Sequence, residues 1–481
     1  MRRTKIVATL GPSTTTPESI EELVIAGVDV VRMNFSHGSP EEHKDRARLV
    51  RKFAKKHKRT VAVLGDLQGP KIRIERFKEG KIFLQMGDPF ILDINLGRDE
   101  GDQHQVGVAY KKLAEDVNEG DELWLDDGRL VLTVNKVENG KVHTTVINSW
   151  ELSDNKGINR RGGGLSAEAL TEKDKEDIKL AAEMQVDFLA VSFPRNAEDL
   201  NYARTLMNNA GGSAAIVAKV ERAESVIQPV LDDLIRASDV IMVARGDLGV
   251  EIGDANLPKM QKMLIKRSRE LDKAVITATQ MMESMIDNPI PTRAEVFDVA
   301  NAVMDGTDAV MLSGETAAGQ HPAKVVKAMA EICVEAEYSK EARKSTHRIG
   351  EEFLREDEGI AMGAMYVANH MRVKAVAALT ESGATARWMS RISSGIPIYA
   401  LTTHRRTCRR VSIYRGVYPV KIKKKWLTDL TEANRICVEH MVEAGIVKNR
   451  DLVIVTKGDI AGAGGGTNMM KIIRVGEHNL D

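Results

Sequence analysis

The chain has 481 residues, enough for about two to four domains, and its 43% hydrophobic and 29% charged residues are typical of a folded protein. Its 69 basic and 69 acidic residues cancel, which argues against a nucleic-acid-binding protein and against a polybasic membrane-binding protein. No stretch approaches the roughly 18 apolar residues of a membrane span, and the apolar run near the start is too short for a secretory signal. We therefore expect a cytoplasmic protein that binds neither nucleic acid nor membrane.

Eight short, β-rich apolar runs follow one another, with helical patterns such as residues 17–27 and 172–185 between them. The runs cover residues 5–10, 30–35, 60–65, 187–193, 215–221, 239–245, 274–280 and 308–314. Most are nearly continuous rather than alternating, which is typical of a parallel sheet covered by helices. Eight such units predict an α/β fold with a closed (β/α)8 TIM barrel, whose active groups lie at the carboxyl ends of the strands.

Polar side chains collect at those predicted strand ends. They are Arg32, Asn34, Ser36 and His37 after strand two, Asp66 after strand three, Lys219 and Glu221 on strand five, Arg245 and Asp247 after strand six, Thr279 and Gln280 after strand seven, and Ser313 and Glu315 after strand eight. Ordinary surface polarity is the alternative interpretation. It explains any one member more easily than it explains a set drawn from several strands.

Two further regions complete the predicted organisation. About 120 residues separate strands three and four, where a β/α unit needs only about 30. Residues 70–158 are rich in β-type runs and turns, so we predict a β-rich lid domain inserted into a barrel formed by 1–69 and 159–337. Residues 345–481 hold shorter strands and helices and predict a separate α/β regulatory domain.

The three cysteines, Cys333, Cys408 and Cys437, are widely spaced and form no CxxC pair. We therefore expect three small buried thiols rather than a zinc site or disulfides.

A loop in the C-terminal domain has the composition of a phosphate cradle, because a strand leads through hydroxyl residues and glycine into a helix. Its candidate residues are Thr380, Ser382, Gly383, Ala384 and Thr385. A plain strand-to-helix connection is the alternative.

Several long motifs resemble those of the pyruvate kinase family of bacterial type. They include TKIVATLGP, VVRMNFSHG, GDLQGPKIR, MVARGDLGVE, ATQMMESM and PTRAEV through SGETAAG, so the resemblance runs from end to end. It implies a cytoplasmic homotetramer that transfers the phosphoryl group of phosphoenolpyruvate to ADP, giving pyruvate and ATP in the last step of glycolysis. Two polyanions must meet in such a site, which calls for a divalent ion and fixed cations.

The resemblance also implies residue roles. Glu221 and Asp247 correspond to ligands of Mg²⁺, with Mn²⁺ as an alternative. Lys219 corresponds to the lysine that contacts the transferred phosphoryl group and then the enolate, and it shares a strand face with Glu221. The resemblance assigns phosphate binding to Arg32 and Arg73, and nucleotide binding to these two together with Asn34, His37 and Lys156. It assigns protonation of the enolate to Thr279, with Ser313 and Glu315 nearby. It assigns binding of the substrate carboxylate to Gly246 and Asp247.

The segment DLQGPKIR carries one informative departure from the family. Many members read DTKGPEIR and require K⁺, whereas this chain has Lys71 at the glutamate position. Since a lysine ammonium has the charge of K⁺, we predict that Lys71 replaces the ion, as in the K⁺-independent branch. The alternative is that Lys71 points to solvent and that K⁺ still binds in the pocket of Asn34, Ser36, Asp66 and Leu67.

The effector and the reaction class leave alternatives as well. The hairpin DIAGAGGGTN lacks the aromatic and basic residues expected for fructose 1,6-bisphosphate, so a sugar monophosphate or AMP is predicted instead. A Mg²⁺-dependent barrel enzyme that stabilises an enolate, such as an aldolase, would not need Lys219 together with Arg73 and a lid. A non-catalytic sensor of sugar phosphates would not need Lys219, Asp247 and Thr279.

Overall fold

The structure is a computed structural model that describes residues 1–70, 72–339, 342, 352–392, 394–423, 430–459 and 466–477. Lys71 and residues 460–465 of the Gly-rich hairpin lie outside the described residues, as does most of the connection before the C-terminal domain. The described chain forms a closed barrel, a mostly β insert and a C-terminal α/β unit. The predicted fold class is therefore confirmed.

Eight parallel strands close the barrel in the spatial order β1-β16-β15-β14-β13-β12-β3-β2. Their bounds are β1 Lys5–Leu10, β2 Val30–Asn34, β3 Ala62–Asp66, β12 Phe188–Val191, β13 Ala215–Val220, β14 Val240–Ala244, β15 Ala274–Ala278 and β16 Ala309–Leu312. Each of the eight predicted runs contains one of these strands, apart from a single residue at the end of β3. The barrel helices are α1 Pro17–Ala26, α2 Pro40–Lys56, α4 Glu172–Glu183, α5 Ala197–Asn209, α6 Val230–Ala237, α7 Arg245–Ile252, α8 Leu257–Glu270, α9 Arg293–Asp305, α10 Gly314–Ala317 and α11 Pro322–Ala336.

The strands are apolar throughout because both of their faces are buried. Along β1, Ile6 and Ala8 pack in the large cluster under the helices, whereas Val7 packs in the cluster inside the barrel. All three side chains are fully buried. A strand with two dry faces cannot show a polar alternation, which explains the continuous runs in the sequence.

Local sequence signals start several of the helices that follow the mouth of the barrel. At α9, the Thr292 hydroxyl accepts a hydrogen bond from the Glu295 backbone N–H at 3.3 Å. The Glu295 carboxylate in turn accepts from the Thr292 backbone N–H at 2.8 Å. This capping box satisfies two backbone donors that the first helical turn leaves free and fixes where the helix begins.

The insert leaves the barrel after β3 and returns before β12. Its elements are β4 Lys81–Leu84, β5 Pro89–Asp93, β6 Gln105–Gly107, α3 Leu113–Asp116, β7 Glu122–Leu125, β8 Leu130–Glu138, β9 Lys141–Val146, β10 Trp150–Ser153 and β11 Ile158–Arg160. The outgoing and returning chains pair where they meet, because Arg73 and Gly157 form an antiparallel bridge. The insert is therefore attached to the barrel through two adjacent, hydrogen-bonded segments. The exact domain limits stay predictions.

The C-terminal unit is a five-stranded sheet in the order β19-β18-β17-β20-β21, in which β21 is antiparallel to β20. Its elements are α12 Glu356–His370, β17 Ala375–Leu379, α13 Ala384–Ser390, β18 Ile398–Thr402, α14 Arg405–Val411, β19 Val417–Lys421, α15 Leu430–Glu443, β20 Leu452–Gly458 and β21 Thr467–Arg474. Cys333, Cys408 and Cys437 are all buried and unpaired, as predicted.

Buried ion pairs fasten this unit to the amino-terminal end of the barrel. The Arg391 guanidinium is 1% exposed and donates to both carboxylate oxygens of Asp308, directly before β16. The Arg409 guanidinium donates to Asp187, directly before β12, at 2.7 Å. Within the described part of the chain, no helix is both long and apolar enough to span a membrane.

Candidate active site

A cavity of about 630 Å³ lies between the carboxyl ends of the barrel strands and the insert. Its lining includes six residues that the sequence placed at the site, namely Ser36, Arg73, Lys156, Lys219, Glu221 and Asp247. The barrel supplies Lys219, Glu221 and Asp247, and the insert supplies Arg73 and Lys156. We call this space the central cavity, and its volume lies within the ~300–1,000 Å³ common for ligand sites.

Lys219 occupies the floor of the central cavity between two carboxylates. Its Nζ lies 2.8 Å from Glu221 Oε1 and 3.5 Å from Asp66 Oδ1. It also donates a hydrogen bond to Ser192 Oγ at 2.7 Å. Burial alone would lower the pKa of Lys219, but the charges of Asp66 and Glu221 outweigh that effect and raise it. The ammonium is therefore a fixed positive charge at neutral pH.

Arg32 is a second cation at the site, and it is bound by Asp66, the carboxylate that also contacts Lys219. Its Nε donates to Asp66 Oδ2 at 2.5 Å, and its Nη1 donates to Thr9 Oγ1 at 3.2 Å. Asp66 is only 1% exposed. It ends β3 beside Asn34 at the end of β2, where the two strands pair in register. One buried carboxylate thus holds the Lys219 and Arg32 side chains on neighbouring sides of the barrel mouth.

The carboxyl groups of Glu221 and Asp247 are both buried, and burial raises the pKa of each. Burial raises the pKa of Glu221 to about 7, with Lys219 opposing the shift and Asp247 adding to it. Burial likewise raises the pKa of Asp247. Glu221 Oε2 accepts from the Phe193 N–H at 2.8 Å, whereas Oε1 is a buried oxygen whose contact is the Lys219 ammonium.

This pair fits the requirements of a hard divalent ion. Two buried carboxylates with raised pKa values become ionised when a cation neutralises their charge. Among the described residues, no cluster of three or more His, Cys, Asp and Glu forms a complete ligand set. An ion at Glu221 and Asp247 would take its other ligands from substrate oxygens and water, which Mg²⁺ commonly does.

Among the described residues that line the cavity, the insert contributes one unpaired cation and one paired cation. Arg73 is exposed to the cavity, and its guanidinium has no ion pair or hydrogen-bond partner among the residues that the structure describes. The Lys156 Nζ lies 2.7 Å from Asp126 Oδ1. Asp126 and the next residue, Asp127, have φ angles of +51° and +56° in the turn after β7. Of the two described insert cations in the cavity lining, Arg73 is therefore the one that is available to an anionic ligand.

Thr279 lies beside the cavity in a strained conformation. Its φ is +67°, a region that β-branched residues rarely enter. Its hydroxyl accepts a hydrogen bond from the Gly246 N–H at 2.9 Å and donates to the Ala278 carbonyl at 2.6 Å. The Arg245 guanidinium holds the Thr279 carbonyl at 2.6 Å. The hydroxyl is thus fixed against the first turn of α7, which also carries Asp247.

Ser313 and Glu315 form a separate bonded group at the end of β16. Glu315 Oε2 accepts from the Ser313 backbone N–H at 2.6 Å, and Oε1 accepts from the Met282 N–H at 3.1 Å. Glu315 is 2% exposed, and burial raises the pKa of its carboxyl group. The carboxylate therefore ties the β16 end to the loop that follows β15 and Thr279.

The residues predicted for a monovalent-cation pocket lie next to one another along the ends of β2 and β3. Asn34 Oδ1 accepts from the Ser36 backbone N–H at 3.1 Å, and the Leu67 carbonyl accepts from Ser192 Oγ at 2.7 Å. The His37 carbonyl accepts a hydrogen bond from His43 Nε2 at 2.9 Å. Lys71, on which the K⁺ prediction depends, lies outside the described residues.

The predicted effector loop is well ordered by its own side chains. Thr380 Oγ1 accepts from the Gly383 N–H at 2.9 Å, and Ser382 Oγ accepts from the Ala384 N–H at 3.3 Å. The Thr385 hydroxyl lies 2.7 Å from the Thr467 hydroxyl on β21. Gly383 has a φ of +91°, which suits glycine at this turn.

Sequence reasoning missed several residues that line or support the central cavity. Ser192, which fixes Lys219, follows β12 within the predicted run of residues 187–193 and could have been found as a strand-end hydroxyl. Asp126 and Asp127 belong to the DDGR segment, which signalled a turn but not a cavity wall. The missed lining residues also include Arg222 and Glu251, and burial raises the Glu251 pKa to about 7. Only the folded insert brings the DDGR turn over the barrel.

Comparison with known proteins gives consistent matches along the chain. Residues 1–326 match the family "Pyruvate kinase, barrel domain", and residues 358–473 match "Pyruvate kinase, alpha/beta domain". "Pyruvate kinase II" of Salmonella typhimurium is 58% identical over 477 residues, covering 99% of each chain. "Pyruvate kinase" of Haemophilus influenzae is 58% identical over 461 residues, covering 95% of this chain and 96% of its own. A "Pyruvate kinase" of Buchnera aphidicola is 53% identical over 477 residues, covering 99% of each chain.

Proposed function

The chain belongs to the pyruvate kinase family, a family of phosphotransferases that act on phosphoenolpyruvate and ADP, and from this premise we propose that the central cavity carries out the transfer with the residues described above. The observation that supports this assignment most is the position of Lys219. It is a buried, charged ammonium beside two carboxylates, and it faces a cavity whose other wall carries the free guanidinium of Arg73. Such a site attracts a phosphoryl group from two sides.

In the first step, the two substrates are held by charge. Lys219 binds the oxygens of the phosphoryl group as it leaves phosphoenolpyruvate, and Arg32 and Arg73 bind phosphate oxygens around it. Lys156 meets the nucleotide from the insert, with Asn34 and His37 on the barrel side of the same region. Because Asp66 already neutralises part of the Lys219 and Arg32 charge, the cations stay in place before the substrates arrive.

Glu221 and Asp247 are the residues that hold a divalent ion, Mg²⁺ or Mn²⁺, in this proposal. When bound there, such an ion would supply positive charge to the phosphate oxygens and to the enolate. The carboxylates themselves keep Lys219 oriented, since Glu221 Oε1 contacts its Nζ at 2.8 Å. The substrate carboxylate is proposed to bind at the start of α7, at Gly246 and Asp247.

In the second step, the enolate carbon takes up a proton, and Thr279 is the proposed relay. Its hydroxyl is a weak acid, so it transfers a proton that comes from water or from a neighbouring group. The hydrogen bond from Gly246 fixes the position of the hydroxyl. Ser313 and Glu315 support the loop that carries Thr279.

A direct assay tests the activity together with the role of the cation. Pyruvate formation from phosphoenolpyruvate and ADP with Mg²⁺ is measured without K⁺ and other small monovalent cations, and then with K⁺ added. We propose that Lys71 makes K⁺ unnecessary, so both rates are expected to be equal, and Lys71→Glu should restore a K⁺ requirement. Activity of the native chain only with K⁺ would contradict the Lys71 proposal and favour an ion at Asn34, Ser36, Asp66 and Leu67.

Regulation is proposed to act through the loop of Thr380, Ser382, Gly383, Ala384 and Thr385. A phosphate monoester, either a sugar monophosphate or AMP, would bind there and activate the enzyme. Two hydroxyls, those of Thr380 and Ser382, meet at this turn, where they accept from the Gly383 and Ala384 N–H groups, and a phosphate would replace these internal bonds. Titration of substrate affinity with both ligand classes tests it, and Ser382→Ala should reduce the response.

We also propose that the protein is a homotetramer in the cytoplasm. Ile290, Phe297 and Met304 lie on and just before α9 and are 68%, 67% and 38% exposed. Apolar side chains grouped on one helix face are a common feature of subunit contacts. Native mass spectrometry measures the assembly, and Phe297→Glu should weaken it.

A further inference from the structure

Glu251 lines the central cavity, but the proposed reaction assigns it no role. It lies on α7, four residues after Asp247, and positions four apart share one face of a helix. The residue is 7% exposed, and its carboxylate reaches the chain directly after β13, where Glu221 lies. Glu251 therefore connects the helix that carries one proposed ion ligand with the strand end that carries the other.

The side chain of Glu251 bonds these two elements directly. Its Oε2 accepts a hydrogen bond from the Ala223 backbone N–H at 2.6 Å. Ala223 comes two residues after Glu221, and the whole segment from Glu221 to Ala223 is buried. A hydrogen bond to a carboxylate is roughly twice as strong as one between neutral groups. This bond fixes the segment against α7, and with it the position of Glu221 relative to Asp247.

The same segment is held from its other sides by contacts that do not involve α7. Glu221 Oε2 accepts from the Phe193 N–H, just after β12, at 2.8 Å. The Arg222 guanidinium donates at 2.6 Å to the carbonyl of Leu165, on the chain that returns from the insert. Among the described residues, the bond between Ala223 and Glu251 is the hydrogen bond that joins the segment to α7. Its loss would leave the two proposed ion ligands on elements that are fixed separately.

The backbone of Glu251 makes another connection, to the insert. Its carbonyl accepts a hydrogen bond from the Gly162 N–H at 3.0 Å. Gly162 lies two residues after β11, which pairs with β7 inside the insert. The next residue, Gly163, has a φ of +80° and lies so close to the barrel that a Cβ there would collide with the Glu224 carboxylate. Glu251 thus contacts the returning chain as well as both elements that carry the proposed ion ligands.

We propose that Glu251 is a positioning residue that holds Glu221 and Asp247 at the separation in which they bind the divalent ion. This inference rests on the proposed function, which places the ion at these two carboxylates. Among the described residues, no three His, Cys, Asp or Glu side chains are placed to hold an ion together, so Glu251 supports the ligand pair from behind and does not complete a ligand set. Residues that orient metal ligands typically contribute about 10- to 100-fold to metal affinity.

Binding of Mn²⁺ to the full-length protein tests the proposal without turnover. Electron paramagnetic resonance measures the free ion in the absence of both substrates. Glu251→Ala removes the acceptor of the hydrogen bond, whereas Glu251→Gln removes the charge but keeps an oxygen that accepts from Ala223. Ala223→Pro removes the donor instead, and the φ of −61° at this residue is one that proline adopts.

Two further variants serve as controls. Glu224→Ala is the matched control, because it removes a neighbouring carboxylate whose described partner is Arg222 and not α7. Glu221→Ala shows whether the measured ion is bound at the proposed site. Thermal melting shows which variants are folded, and Ala223→Pro tests the proposal independently if Glu251→Ala is not.

We expect Glu251→Ala and Ala223→Pro each to bind Mn²⁺ about tenfold more weakly than the native protein. The double variant should bind no more weakly than either single variant, since both remove the same bond. Glu251→Gln should stay within about threefold of native affinity, because a neutral acceptor keeps part of the bond. Glu224→Ala should bind Mn²⁺ as the native protein does.

Native affinity in both Glu251→Ala and Ala223→Pro would overturn the proposal. An equal loss in Glu251→Gln and Glu251→Ala would also overturn it, because the charge of Glu251 and not its hydrogen bond would then matter. Absence of Mn²⁺ binding by the native protein, or native binding by Glu221→Ala, would remove the proposed ion site itself and this inference with it. Failure of the positioning role is thus distinguishable from failure of the proposed function.

Discussion

Asp66→Asn is the substitution that most directly tests how the active site holds its cations. The native carboxylate is 1% exposed and lies 2.5 Å from Arg32 Nε and 3.5 Å from Lys219 Nζ. Asparagine has nearly the same shape but no charge. The substitution therefore removes the charge that two buried cations share, while it leaves the packing at the end of β3 unchanged.

The size of the effect follows from the distance between the charges. At 3.5 Å and an effective dielectric constant of about 20, the Asp66–Lys219 attraction is about 5 kcal/mol. One pH unit corresponds to about 1.4 kcal/mol, so loss of this attraction moves deprotonation of Lys219 about 3.5 pH units lower. The native pKa of Lys219 is raised above its ordinary value, which keeps its deprotonation outside the range of an ordinary assay. In the variant it enters that range.

The assay is end-point pyruvate formation from pH 6 to pH 10 at saturating substrates. We expect that deprotonation of Lys219 does not lower the kcat of the native enzyme in this range. The Asp66→Asn variant, in contrast, should lose activity as the pH approaches 10. Asp126→Asn is the matched control, because Asp126 pairs with Lys156 in the insert wall of the cavity and not with Lys219. If the variant and the native enzyme have the same pH profile while both remain folded, the reasoning about Asp66 and Lys219 is wrong.

Three other predictions concern the proton relay, a buried lysine and the domain contact. Thr279→Val should lower kcat by about a hundredfold or more with little change in KM, because it removes a proton relay, while Thr279→Ser should stay near native activity. The pKa of Lys5 is lowered to about 8, chiefly by burial, from 10.5 in the unfolded chain. Between these two pKa values the unfolded chain binds more protons than the folded chain. The free energy of unfolding should therefore rise with pH across that window by up to about 3 kcal/mol. Urea titrations measure this rise, and Lys5→Met should abolish it. Arg391→Met should lower the free energy of unfolding by about 3–5 kcal/mol, because it leaves the buried Asp308 carboxylate without its guanidinium partner. An unchanged urea midpoint would contradict this prediction.

The barrel could be predicted from the sequence because its strands are buried on both faces. Val7 and its neighbours Ile6 and Ala8 pack into different clusters, yet all three must be apolar, so the strand is visible as an unbroken run. The side chains at the strand ends were equally visible, since polar residues directly after such runs stand out. The placing of Lys219 beside Glu221 required only the two-residue repeat of a strand.

The remaining features depend on contacts between distant parts of the chain. Asp126 pairs with Lys156 in a cavity wall, and no local pattern shows that the turn after β7 lies over the barrel. The φ of +67° at Thr279 is a tertiary effect as well, because the sequence there reads as a continuing strand. Arg409 donates to Asp187 although 222 positions separate them in the chain, so each looks like an ordinary surface residue in the sequence.

The placement of the insert between β3 and β12 has a consequence for how the chain is made. These strands are hydrogen-bonded neighbours, with Asp66 in register with Ala190, although the insert separates them in the sequence. At about 5–20 residues per second, a ribosome needs roughly 6–24 seconds to synthesise the chain between them. During that time β3 has an open edge of apolar backbone, while the insert can already bury its own core. The nascent barrel therefore passes through an extended interval in which chaperones or premature strand pairing can compete with its closure.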